Sequence, residues 1–118
     1  MSTHAAIFVE TNKTDIGTYV HYDGYPSHML HPLMRMAPEE VQCHILIAAP
    51  RGGYSCYGEL PCDRQVSHGD NGPEVYTDRD IVPAYCHHVY LKHQDGSVSH
   101  LDLESRDFDT PDWKNYTL

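Results

Sequence analysis

Apolar positions along this chain follow two rhythms, and the change from one to the other divides it into elements. "HAAIFVE" (residues 4–10) and "IGTYVHY" (16–22) are short runs rich in β-branched and aromatic residues. The polar "TNKTD" between them predicts a β-hairpin with a five-residue loop. "DGYP" then punctuates the chain, with Asp23-Gly24 suited to a turn and Pro26 to the entry of a helix. From Ser27 onward, Met29/Leu30, Leu33 and Met36/Ala37 recur at helical spacing. Pro32 interrupts them, so the helix either starts near His31 or starts at Ser27 and kinks.

"APEEVQCHILIAAP" predicts a second helix. Pro38 suits its first position, Glu39 and Glu40 complement the positive end of its dipole, and Val41, Ile45 and Ala48/Ala49 share a face. A buried strand over "QCHILIA" competes with that reading, and the helix is favoured. Residues 50–83 are rich in glycine and proline and keep no periodicity, which predicts a long irregular loop and a partner-facing surface.

"AYCHHVYLKHQDGSVSHLDLE" reads as a second hairpin closed by Asp95-Gly96 in a two-residue type I′ turn. That register pairs Gln94 with Ser97, Tyr90 with Leu101 and His88 with Leu103. It collects Cys86, His88, Tyr90, Leu101 and Leu103 on one face, and Val89, Leu91, His93, Val98, His100 and Asp102 on the other. Residues 104–118 form an acidic C-terminal tail, with Phe108 and Trp113 as hooks back onto the body. The fold expected is α+β: a small antiparallel sheet from two hairpins with two helices, in a single domain spanning 1–118.

Composition narrows the function. The chain has 118 residues, 40% hydrophobic, and a formal net charge of -9 from 17 acidic against 8 basic residues. This argues against nucleic acid as a partner, which calls for basic patches. Acidic mimicry of nucleic acid is also disfavoured, because only 21% of residues are charged and no acidic row follows a helix face. No apolar run reaches the length of a membrane span, so no membrane role is expected. "MSTHAAIFVE" lacks a basic leader region, and the four cysteines are then read as free thiols in a reducing cytoplasm.

Candidate chemistry is sparse. Cys56, Cys62 and Cys86 with His87 and His88 could supply zinc ligands, but the spacing fits no finger or ribbon. His93, His100 and Asp102 could form a metal-binding patch on one face of the late hairpin. Cys56, between glycines, could serve as a nucleophile if a histidine were placed beside it. No motif of a known catalytic class is present. The expectation is therefore no enzyme and no cofactor, with zinc kept as the alternative. A small-ligand cleft is a further reading, rimmed by Tyr19, His21, Asp23, Tyr25 and Arg51.

"YVHYDGYP", from Tyr19 to Pro26, resembles a set of small phage and prophage proteins that carry a His-Trp-Asp-Gly-Tyr-Pro signature after an N-terminal hairpin. The likeness extends more loosely to the two helices, the "VYLKHQDGSV" hairpin and Trp113. Tyr22 stands where those proteins usually have tryptophan, and "MLHPLM" replaces the glycine of their first helix. The resemblance brings no activity to individual residues. It implies an accessory protein in the cytoplasm of an infected host, acting by binding a host protein in host takeover or counter-defence. The loop 50–83 and Asp107, Asp109, Asp112 and Trp113 of the tail are the expected contact residues, and a homo-oligomer is an open alternative.

Overall fold

The structure is a computed structural model and describes residues 3–58, 72–103 and 113–117. Its order is β1 (Ala5–Glu10), β2 (Asp15–Tyr22), α1 (Pro26–Arg35), α2 (Pro38–Ala48), a 3-10 turn (Ala49–Arg51), β3 (Tyr54–Cys56), β4 (His88–Lys92), β5 (Val98–Asp102) and β6 (Lys114–Tyr116). The fold is α+β, with one six-stranded sheet in the order β3-β2-β1-β4-β5-β6. Among the described residues, no helix is long and apolar enough to cross a membrane.

The sheet is mixed rather than antiparallel. Both hairpins form, but β1 lies parallel to β4 and β2 parallel to β3. Parallel neighbours need a long crossover, and the two helices supply it between β2 and β3. Helix α1 starts at Pro26 and keeps Pro32 inside it. Pro32 cannot donate to His28, and the helix runs on for only about one more turn. The Met36 amide then donates to Pro32 O (3.1 Å) and the Lys92 ammonium to Leu33 O (2.6 Å). Helix α2 opens on Pro38 as expected, and buries Val41, His44, Ile45 and Ala48 on one stripe.

Both faces of the sheet are covered. The helices bury Ile7, Val9, Val20, Tyr90 and Val98 against Met29, Leu33, Val41 and Ile45. On the other face Ala6, Phe8, Tyr19, Val89, Leu91 and Leu101 pack under Tyr76, Val82, Leu103 and Trp113. Central β1 therefore reads as a continuous apolar run, as strands buried on both faces do. Tyr90 also donates to Gly24 O at 2.6 Å from within the core, pinning the turn that follows β2. Tyr90→Phe leaves that carbonyl unpaired and should cost about 1–2 kcal/mol, read as a lower urea midpoint at unchanged slope.

The late hairpin differs from its predicted register by one residue. Tyr90 pairs with His100 and His88 with Asp102. His93 N–H donates to Ser97 O (2.9 Å), Gly96 N–H donates to His93 O (3.0 Å), and Gly96 has φ +93°. This is a three-residue loop with glycine in the left-handed position, whereas a type I′ turn needs positive φ at Asp95 as well. Asp95 instead accepts from the Ser97 amide (2.9 Å) and hydroxyl (2.6 Å). A one-residue slip reverses which face β5 presents against β4. His100 therefore joins His88 and Tyr90 on the helix side, Leu101 joins Val89 and Leu91, and the expected His93–His100–Asp102 patch does not form.

The first loop has four residues, because Asp15 pairs with Glu10. The stretch 50–83 is not wholly irregular: it contains β3, and Tyr76 pairs with Gly17 of β2. The tail contributes β6, which pairs with β5, and Trp113 packs onto the outer core as a hook.

Candidate functional site

One end of the sheet gathers a cluster of tyrosine and histidine side chains. It is the end where β1 and β4 begin and β2 and β5 finish, since Ala5 faces both Val20 and His88, and His88 faces Asp102. The parallel pairing of β1 with β4 sets His4 beside His87, and their rings stack at 5.7 Å. Their backbones are joined as well, His87 N–H donating to His4 O (2.8 Å).

The Tyr19 hydroxyl lies 2.8 Å from both His4 Nδ1 and His21 Nδ1, and His4 Nδ1 lies 2.8 Å from His21 O. The carbonyl can only accept, so His4 carries its proton on Nδ1. The Tyr19 proton then goes to His21 Nδ1, which leaves the His21 proton on Nε2. Burial, followed by the field of Tyr85, pushes the Tyr19 pKa above its ordinary value, so the phenol stays neutral. Tyr85 meets Tyr19 edge-on at 5.3 Å, and Tyr22 meets His21 at 4.4 Å.

The rim continues around the end of β2. Asp23 holds φ +55°, and its carboxylate lies 3.6 Å from Cys56 Sγ. Strand β3 brings Cys56 opposite Tyr22 and within 3.5 Å of His28 Nε2 in the first turn of α1. Tyr25, the residue before α1, meets the His28 ring edge-on at 6.0 Å. His28 Nε2 lies 2.6 Å from Tyr57 O and must donate to it. That nitrogen is therefore no base for the thiol. Burial and the Asp23 carboxylate both raise the Cys56 pKa, which holds the thiol protonated. A cysteine nucleophile needs the reverse of both conditions.

Elsewhere, Ser99 Oγ lies 2.6 Å from His93 Nε2, and His93 Nδ1 lies 3.1 Å from Glu10 Oε2. The order resembles a hydrolytic triad. However, Ser99 is only 4% exposed, and its hydroxyl is also engaged by Asn115 Oδ1 at 2.5 Å. The row laces β1, the end of β4, β5 and β6 together and presents no accessible nucleophile.

The predicted ligand residues divide into two groups. Tyr19 and His21 belong to the ring cluster on the face away from the helices. Asp23 and Tyr25 belong to the Cys56–His28 group beside α1, and Arg51 is exposed at the end of the 3-10 turn. They do not close one cleft. Of the predicted partner contacts, Trp113 is engaged in the outer core, while Asp107, Asp109 and Asp112 lie outside the described residues. Cys62 also lies outside them, and Cys56 and Cys86 sit on opposite faces of the sheet. Among the described residues, no three His, Cys, Asp or Glu side chains are placed to hold a metal ion.

The comparisons with known proteins add no relative. No family model matches this chain, and neither does any curated protein or any solved structure. The site therefore rests on its own geometry. His4, His28 and Tyr85 were missed by sequence reasoning, and His87 was read only as a possible zinc ligand. Their one readable signal was position, because His4 and His87 immediately precede apolar runs that could start side by side.

Proposed function

We propose that this chain is a protein-binding module that engages a host-cell protein through the tyrosine- and histidine-rich end of its sheet. The observation that carries this is the exposure of three tyrosines at one end of the sheet: Tyr22 (47%), Tyr25 (40%) and Tyr85 (48%). The rings behind them hold them in place, so little side-chain entropy remains to be lost on binding. Tyrosine offers a broad apolar body with a polar tip, the profile of residues that dominate interface energetics. Among the described residues, Asp23 beside Cys56 and Glu74 near Tyr85 and Tyr19 are the carboxylates that bear on this end of the sheet. The resemblance to phage proteins supplies the class of partner. The division of the predicted ligand residues between two faces speaks against the small-ligand cleft.

The test is binding by the triple variant Tyr22→Ala/Tyr25→Ala/Tyr85→Ala, using a bacterial partner captured by the unaltered chain. These side chains are largely outside the core, so the melting temperature should change little. Affinity should fall at least about thirtyfold, the effect of losing one strong contact residue. Unchanged affinity would show that binding lies elsewhere, with Asp109→Lys in the tail as the next variant to measure.

A further inference from the structure

At the opposite end of β4 lies a cleft of about 390 Å³ between the α1–α2 corner (Met34, Arg35, Met36, Ala37, Pro38) and the β4–β5 turn (Asp95, Gly96, Ser97). Lys92 lines it and is only 1% exposed. Its ammonium donates to Leu33 O (2.6 Å) and Gly96 O (2.7 Å). These short distances are those of charge-assisted hydrogen bonds. Two carbonyls satisfy two protons but do not neutralise the charge, and among the described residues no carboxylate lies within ion-pair distance of it. Asp95, whose carboxylate field acts on it, is tied into the turn by Ser97. A buried charge without a counter-charge is costly, and burial accordingly lowers the Lys92 pKa. Arg35 and the Ser97 hydroxyl border the same cleft, with Met34, Met36, Ala37 and Pro38 as an apolar wall.

We propose that this cleft binds a small oxyanion carried on an apolar body, such as a phosphate monoester, with Lys92 as its counter-charge. The third ammonium proton and the full charge are what the anion takes up. The apolar wall takes the body, and the volume falls within the range of small-molecule sites. This site is separate from the tyrosine-rich end, and either can fail without the other.

The test is calorimetric titration of the full chain with phenyl phosphate and with inorganic phosphate, at ionic strength held constant with chloride. Saturable binding is expected, tighter for phenyl phosphate, and weakened about tenfold or more in Lys92→Met by loss of the charged hydrogen bond. Absence of saturable binding overturns the proposal, as does equal binding by Lys92→Met, which would mean an adventitious ion only. If Lys92→Met does not fold, NMR of the lysine ε-methylene groups on the unaltered protein decides. The Lys92 resonance must then move saturably with phenyl phosphate, and a resonance that stays fixed sinks the idea.

Discussion

Gly53→Ala is expected to cost at least about 3 kcal/mol of stability, because it combines a strained backbone with a steric clash. Gly53 holds φ +87°, a region that L side chains avoid. A Cβ there would also lie 2.2 Å from the Tyr19 carbonyl oxygen and 2.9 Å from its carbon. That oxygen belongs to β2, a strand paired along one edge with β1 and along the other with β3, so it has little room to retreat. The Gly53 amide meanwhile donates to Ala48 O (2.9 Å), which fixes the reversal from the 3-10 turn into β3. Relief would have to come from β3, at the expense of buried Tyr54 and of the pairing that sets Cys56 opposite Tyr22. Gly96→Ala separates the two costs. Gly96 has a comparable φ of +93°, but an added Cβ would meet nothing within 4 Å, so only about 1 kcal/mol should be lost. Urea denaturation of both variants gives the answer. Equal losses would show that the backbone at Gly53 shifts freely and that the approach to Tyr19 imposes no constraint.

The same residues show where sequence reading reached and where it stopped. The first hairpin and both helices were legible because their signals are local: alternating β-branched runs, and a proline opening each helix with apolar residues at helical spacing. Asp95-Gly96 announced a turn but not its length. One glycine serves a two-residue or a three-residue loop equally well, and the choice moved His100 to the other side of the sheet. Strand β3 could not be seen, because three residues after a Gly-Gly pair carry no period. The parallel pairs were equally hidden, since β1 and β4 are joined by a register such as Ala5 with His88, far apart in the chain. The candidate site depends on those pairs. Tyr19 and His21 were singled out from their own strand, but His4 and His87 become their neighbours only through β1 and β4. His28 reaches Cys56 only through β3. The local half of the site was in the sequence, and the half made by non-local pairing was not.

Stability is also expected to fall on both sides of neutrality, through different residues. On the acid side the decisive group is His100, buried beside His88 with their Nε2 and Nδ1 atoms 2.9 Å apart, and stacked on Tyr90 at 4.9 Å. One ring must donate and the other accept, so a second proton breaks the pair. Burial, then the His88 charge, pulls the His100 pKa from 6.5 down to about 4; Asp102 raises it and Lys114 adds to the lowering. Between those values the unfolded chain binds the proton and the folded chain does not. Stability is therefore fully present above pH 6.5 and lost as the pH falls towards 4, by about 2 kcal/mol once solvent near the strand edge is allowed for. His100→Gln can keep a hydrogen bond to His88 without titrating, and should flatten that limb relative to the parent chain.

On the alkaline side burial pushes the Cys86 pKa from 9.0 up to about 12, with Glu74 adding to it, and raises those of Tyr19, Tyr76 and Tyr90. The folded chain keeps protons that the unfolded chain gives up, so stability falls as the pH rises past 9. Lys92 works the other way, because its lowered pKa lets the folded chain lose a proton first. One amine does not outweigh four acidic groups, and the net limb should slope downward. Urea midpoints across the pH range give the profile. An acid limb that is the same in the parent and in His100→Gln would mean that the folded His88–His100 pair accepts a proton. The end of β5 would then be open to water rather than sealed beneath α1.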